Sequence, residues 1–311
     1  MELRKDYLLE RWVILSEGRG SRPRDFGERV VVNEQAACFF CPGKEGQTPD
    51  EIGRFPKSGD WKIRWFPNKF PAVEKDEKSA LQQRGFLASA GAYGYHEIIV
   101  ETPDHRLQLF DLSEGEVLEL LSVYANRLFW LRKDPQVQYV TVFKNHGRNA
   151  GTSLLHSHTQ VIASHHVPEA VREEAAAAGN AKGCAYCAIV ASEMRSERRC
   201  FENSSFAAFA PYASRFNYEC WIFPKRHVKS LLGLEQHELA ELAAILLQVL
   251  RKLKALGADY NFFLHEAPPQ SELHFHIEVA PRIATWGGFE LATGIVINSV
   301  HPELAAAWYR S

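Results

Sequence analysis

Asn145-His146-Gly147-Arg148-Asn149-Ala150-Gly151-Thr152-Ser153-Leu154-Leu155-His156-Ser157-His158-Thr159-Gln160 carries a Gly- and Asn-containing turn straight into His-x-His-x-Gln. Residues 153–163 are largely apolar or β-branched, which predicts a strand, and side chains two apart on a strand share a face. His156, His158 and Gln160 are then expected on one face, with Ser157 and Thr159 on the other. A histidine that attacks phosphorus must be neutral with one ring nitrogen bare, and a hydrogen bond to the other N–H fixes that tautomer. An amide beside it can hold a phosphate oxygen without adding negative charge, a task that suits Gln160. Gly147, Gly151 and Ser153 are small enough to let backbone N–H groups approach phosphate oxygens. Taken alone, His-x-His reads as a buried histidine pair on a core strand; the rest of the chain decides between the two readings.

With 311 residues and 46% hydrophobic content the chain can bury a large core, as one large domain or two of ordinary size. A net charge of -2 and a pI near 6.7, with 36 basic residues scattered, give no general attraction to nucleic acid or to an acidic membrane. Any phosphate binding must be local. Residues 1–6 lead into no apolar leader segment and no stretch reaches membrane-spanning length, so a cytoplasmic location is expected.

The chain repeats itself around its cysteines. The first half runs Cys38, Cys41, then Pro103-Asp104-His105, then His156-Ser157-His158; the second runs Cys184, Cys187, then Pro224-Lys225-Arg226-His227, then His274-Phe275-His276. Between these anchors strands are expected at 96–101 and 218–223, long amphipathic helices at 114–132 and 235–256, and further strands at 137–143 and 260–264. Residues 171–183, rich in Ala and charge, read as a short helix linking two α+β units, and strand edges are where such units join.

In a reducing compartment two Cys-x-x-Cys pairs suggest metal or redox chemistry rather than disulfides, while Cys200 and Cys220 read as small core residues. A Cys-x-x-Cys knuckle plus two distant histidines is a common closed zinc site. Cys38, Cys41, His105 and His156 form one such set, and zinc held by His156 would pin the strand carrying His158 without doing chemistry. Cys184, Cys187, His227 and His274 repeat the pattern, with His265 and His276 near enough in sequence to compete. Neither pair is expected to open a helix in the thioredoxin manner. Glu278 stands where Gln160 stands in the first half, and a carboxylate repels a phosphoryl group, so the second half is expected to be non-catalytic.

These residues resemble the galactose-1-phosphate uridylyltransferase family of the histidine-triad superfamily over nearly the whole chain. Arg19-Gly20-Ser21-Arg22-Pro23 is similar to its basic phosphate-binding turn, Cys38-Phe39-Phe40-Cys41-Pro42-Gly43-Lys44-Glu45 to its zinc knuckle, and Phe66-Pro67-Asn68-Lys69-Phe70-Pro71-Ala72 to its nucleoside-pocket segment. Pro103-Asp104-His105 matches the third zinc ligand, and Gly287-Gly288-Phe289-Glu290 resembles the hexose-binding segment. The resemblance implies an α+β fold of two tandem histidine-triad-like units, mainly antiparallel sheet with covering helices. Residues 1–170 would be the catalytic unit and residues 180–311 a non-catalytic unit with a second metal and sugar contacts.

It also implies double displacement. His158 attacks the α-phosphorus of a nucleotide sugar, releases a sugar 1-phosphate, and passes the nucleotidyl group to a second sugar 1-phosphate. Gln160 holds the α-phosphate; Asn145, Gly151 and Ser153 contact phosphate; Arg19 and Arg22 offset its charge; Asn68 and Phe70 shape the base pocket; and Glu290 binds sugar hydroxyls across a homodimer interface. Ser157 and Thr159 stand where the best-known members carry proline and glycine, which is similar to a side branch that includes ADP-glucose phosphorylases. Uridylyl transfer is the first reading on this resemblance and adenylyl transfer the second. The family's other second-metal pattern, a glutamate with three histidines, maps onto Glu174, His265, His274 and His276. A hydrolase of the superfamily would carry a third histidine where Gln160 stands. A zinc-knuckle module that binds nucleic acid would need a basic, aromatic-studded face that this chain lacks.

Overall fold

The computed structural model describes residues 2–9, 12–15, 38–75, 80–180 and 183–311; Arg19 and Arg22 lie outside them. In chain order the strands of the first half are β1 (Glu2–Lys5), β2 (Trp12–Leu15), β3 (Gly53–Phe55), β4 (Ile63–Pro67), β5 (Gln82–Arg84), β6 (Leu87–Ser89) and β7 (Gly94–Val100). Helix α1 (Glu114–Leu131), β8 (Tyr139–His146), β9 (His158–Ser164) and α2 (Glu169–Ala178) follow. A short β10 (Gly179–Asn180) and β11 (Gly183–Cys184) lead to α3 (Ala185–Glu193), β12 (Arg199–Glu202), β13 (Phe206–Phe209), β14 (Cys220–Pro224) and α4 (Gln236–Leu256). The chain closes with β15 (Tyr260–His265), β16 (His276–Pro281), α5 (Gly288–Thr293), β17 (Val296–Asn298) and α6 (Pro302–Arg310).

Among the described residues the main sheet has ten strands in the order β12-β13-β14-β16-β15-β8-β9-β7-β4-β3, every neighbouring pair antiparallel. The two halves meet at its centre, where Tyr260–Phe263 of β15 pair with residues 143–146 of β8. The register repeats: Phe143 and Ile98 flank Gln160 as Phe263 and Trp221 flank Glu278. The α+β, antiparallel, helix-covered architecture expected from sequence is therefore present.

The two long helices cover one face. α1 starts at a capping box, Ser113 accepting from the Glu116 N–H while the Glu116 carboxylate accepts from the Ser113 N–H, and α4 stops at Gly257 with φ 66°. Their apolar stripes, including Leu120, Leu121, Tyr124 and Leu128 of α1 and Leu242, Leu246, Leu250 and Leu253 of α4, pack on Ile99, Val142, Val161, Ile277 and Val279. The opposite face carries the polar strand residues, closed at one end by α2 and α3 over Trp221 and Phe223 and at the other by Phe40 over Phe66, Ile98 and Val100.

Three boundaries differ from expectation. β9 begins at His158, not 153, because residues 154–157 form a loop that carries His156 to the cysteines, with Ser157 O accepting from Glu101 N–H. Strand β8 continues to His146, held there by β15. Cys184 is the N-cap of α3, so the second Cys-x-x-Cys does open a helix, whose first turn brings Cys187 round toward His227. Cys200 and Cys220 are buried, as expected of core residues.

Candidate functional site

His158 opens β9 on the sheet face away from the long helices. Its Nδ1 lies 2.8 Å from the His156 carbonyl oxygen, which can only accept, so Nδ1 carries the proton and Nε2 is bare. Burial pushes the imidazole below the ordinary histidine value, and the Lys144 ammonium pushes it the same way. The ring of Phe40 meets His158 edge-on at 5.4 Å. A cavity of about 340 Å³ opens in front of these groups. His158, Gln160, Asn68, Phe70 and Ser153 all line it, among the apolar side chains of Phe39, Phe66, Ile98 and Leu154.

Beneath the start of β9 lies a buried charge network that sequence reading missed. Lys144, fully buried, donates to Glu101 (2.7 Å), to Ser157 Oγ (3.0 Å) and to the His158 carbonyl (3.1 Å). Ser157 and Thr159 both donate to the Glu101 carboxylate, and Tyr124 of α1 donates to Thr159. Burial works against the Glu101 charge, yet Lys144 and the two hydroxyls hold its carboxyl below the usual range. The available signal was the pair of hydroxyl residues beside His158, paired with charged residues inside apolar strands.

His96 was also missed. It lies on β7, two residues from Ile98, on the same face as Gln160, and its Nε2 is 2.9 Å from Gln160 Oε1. Nothing near it in sequence marks it; only the β7–β9 register brings the two side chains together.

Other expected residues fall elsewhere. Four of the turn amides are already taken: Asn149 N–H donates to the Asp259 carboxylate, and those of Ala150, Gly151 and Thr152 donate to carbonyls within the turn. Gly147 has φ 83°, and a Cβ there would lie 1.8 Å from Asp259 Oδ1, so this glycine makes room for a carboxylate rather than for phosphate. Asn145 accepts from Asn261 and lines a neighbouring cavity of about 440 Å³. Glu290 accepts from the Gly287 N–H and lines a small separate cavity beside Trp286, so within one chain it does not join His158.

The cysteines and histidines gather as two closed groups. Cys38, Cys41, His105 and His156 have ligand atoms within 4.8 Å of one another, as do Cys184, Cys187, His227 and His274. The Sγ–Nδ1 separations are 3.6 Å from Cys41 to His105 and to His156, and 3.5 and 3.6 Å from Cys187 to His227 and His274. A tetrahedral ion with bonds of about 2.3 Å to sulfur and about 2.0 Å to nitrogen requires an edge of about 3.6 Å, so the donors fit. His156 and His274 each donate Nε2–H to a backbone carbonyl, of Thr102 and Arg226, leaving Nδ1 for the ion. Buried Arg64 ties the first knuckle to β4 through Phe39 O and Thr48. His274 therefore goes with the cysteines, not with the glutamate set; Glu174, His265 and His276 gather separately with Glu278, and Glu174 accepts from Tyr186.

Among the described residues no helix is long and apolar enough to cross a membrane. Comparison with known proteins finds a family model for the galactose-1-phosphate uridyl transferase N-terminal domain matching residues 2–168, and one for a domain of unknown function matching residues 113–307. The chain is 32% identical to an ADP-glucose phosphorylase of Arabidopsis thaliana, covering 97% of this chain and 90% of that one. It is 29% identical to a galactose-1-phosphate uridylyltransferase of Thermotoga maritima, covering 100% and 98%. Among solved structures, the Arabidopsis ADP-glucose phosphorylase with bound ADP-glucose superposes with a TM-score of 0.88 at 30% identity, covering 100% and 98% of the two chains. A uridylyltransferase superposes at 0.78 with 28% identity, covering 100% and 97%.

Proposed function

The chain belongs to the galactose-1-phosphate uridyl transferase family and is a hexose-1-phosphate nucleotidyltransferase, and on that premise we propose that it moves an adenylyl group from an ADP-sugar through His158 to inorganic phosphate. The observation that carries the reading is the bare Nε2 of a neutral His158 facing a cavity lined by Gln160 and aromatic side chains. Nε2 attacks the α-phosphorus, the P–O bond to the sugar phosphate breaks with its electron pair, and sugar 1-phosphate leaves. The adenylylated ring keeps its Nδ1 proton on the His156 carbonyl, which stabilises the cationic phosphoramidate. A phosphate oxygen then attacks the same phosphorus, the P–N bond breaks, and ADP leaves with His158 neutral again. Gln160 donates to a non-bridging oxygen throughout, adding no charge of its own. The sugar phosphate leaves as a dianion without a general acid, which is why an amide serves where a hydrolase carries a third histidine.

Support for the adenylyl donor comes from the higher identity and closer superposition of the ADP-glucose phosphorylase, and from the Ser157 and Thr159 hydroxyls fixed by Glu101. Uridylyl transfer between UDP-hexose and hexose 1-phosphate is the second reading, favoured by the match of residues 2–168 and by the full-length Thermotoga relative. Both readings place catalysis in residues 1–170, with residues 180–311 as the non-catalytic unit. Each metal group would hold one zinc; its chemistry is structural, fixing the knuckle and the loop before His158. Asn68 and Phe70 serve the base. Glu290 serves the sugar from the partner copy in a homodimer, since within one chain it lines a different cavity.

Labelled inorganic phosphate supplied with ADP-glucose, and in parallel labelled hexose 1-phosphate supplied with UDP-hexose, test the donor and acceptor together. Label appearing in ADP supports the phosphorylase reading. Exchange of label from hexose 1-phosphate into UDP-hexose, with none into ADP, replaces it with the uridylyl reading.

A further inference from the structure

We propose that His96 is a positioning residue for the transfer, locking the Gln160 amide so that its NH2 group, and not its carbonyl, faces the phosphate at His158. The proposal rests on the reading of His158 as the nucleophile.

The tautomer follows from the partners. The Ala72 backbone N–H donates to His96 Nδ1 at 3.1 Å, so that nitrogen is bare and a neutral ring carries its proton on Nε2. Burial lowers the His96 pKa, keeping the ring neutral. Two amides lie near that proton: Gln160 Oε1 at 2.9 Å and Asn68 Nδ2 at 3.2 Å. Asn68 is oriented by its own Oδ1, which accepts from the Phe70 N–H at 2.9 Å, so it turns a donor toward His96. A donor cannot accept the His96 proton, which leaves Gln160 Oε1 as the acceptor. With its oxygen held on that side, Gln160 turns its NH2 toward the cavity that His158 also lines.

The consequence is chemical as well as geometric. The terminal torsion of a glutamine is broad and roughly two-fold, so an unheld amide presents either its oxygen or its nitrogen. A carbonyl oxygen turned toward a phosphoryl group repels the charge that develops there, whereas an amide NH2 offsets it. The register supplies the lock: His96 lies opposite Ile162, diagonal to Gln160 across the β7–β9 pair and on the same face. Ala72, Asn68 and Phe70 belong to the segment on the rim of the base cavity, so one imidazole joins the base pocket to the phosphate-holding amide.

Single-turnover formation of nucleotidyl-His158 from ADP-glucose tests this, with AMP affinity measured separately and zinc content as the check on folding. His96→Phe keeps a ring but no donor, and the rate is expected to fall about 10- to 100-fold with AMP affinity within about three-fold of wild type, since a fully removed donor costs about 10²–10³. His96→Gln, whose amide reaches the place of Nε2, is expected to recover most of the rate. In a Gln160→Ala background His96→Phe is expected to change the rate less than about two-fold, because the residue it orients is gone. An equal loss in both backgrounds, or an unchanged rate in the single variant, overturns the proposal. Long-range ¹H–¹⁵N correlation of the histidine rings reads the tautomer without any turnover: Nε2–H on His96 supports the lock and Nδ1–H overturns it. Wild-type protein that forms no adduct would count against the transfer reading, while the tautomer would still decide the role of His96.

Discussion

A phosphoryl acceptor works only if its attacking nitrogen is bare, and at His158 one carbonyl oxygen secures that by holding the proton on the other nitrogen. The neighbouring choice of Gln160 over a carboxylate can be tested directly. Gln160→Glu puts a second negative charge beside the α-phosphate, and the rate of nucleotidyl-enzyme formation is expected to fall at least 100-fold, measured by rapid quench. Part of this was legible in the sequence: an amide two residues on from the histidine follows from residue type and spacing, the base pocket came through the family resemblance, and the carbonyl that leaves Nε2 bare is seen only in the fold. A positive φ marks a tight turn without saying what fills the space, and at Gly147 it is the Asp259 carboxylate. His96 was not legible for a plain reason, since its partner is far away in sequence and only strand pairing brings them together.

At the scale of elements, β9 is fixed from both sides: on one by His156 in its metal group, on the other by Lys144 and Glu101. Removing one member of a buried pair leaves an uncompensated charge, so Lys144→Met is expected to cost about 3–5 kcal/mol in urea unfolding, with much of that recovered in the Lys144→Met, Glu101→Gln double variant. Glu101 is held below its unfolded value, so its stabilisation is present above about pH 4.3 and is lost as pH falls through the lower folded value. Glu101→Gln should therefore flatten the acid side of the stability profile. The metal elements separate in the same way. Cys41→Ser is expected to lower both zinc content and adduct formation, whereas Cys184→Ala should lower zinc content and melting temperature with the His158 adduct still forming, read by metal analysis and intact mass. The repeat of Cys-x-x-Cys with His-x-His was open to sequence because metal ligands cannot drift far in type. The spacing also assigned His274 to Cys184, Cys187 and His227, as the geometry has it, whereas its alternative place with Glu174, His265 and His276 fell away only in the structure.

For the whole molecule, the ten-stranded sheet makes two similar halves one body, and their repeated register puts Glu278 where Gln160 stands. One half keeps the amide; in the other, the place of His158 is taken by His276, buried beside Glu174, and the neighbouring cavity is lined by Glu174, His265 and Glu278. If the partner copy supplies Glu290, a mixture of His158→Asn and Glu290→Gln chains regains activity in hybrid dimers, about a quarter of wild type for randomly mixed chains with one intact site per hybrid. No recovery on mixing would place Glu290 in the same chain's site or outside the reaction. The central claim is a covalent nucleotidyl group on His158, and intact-mass spectrometry after separate incubation with ADP-glucose and UDP-glucose tests it most directly. The account predicts the mass of one adenylyl group added from ADP-glucose and absent in His158→Asn. An adduct that persists in His158→Asn, or no adduct from either sugar nucleotide in zinc-loaded protein, would contradict it.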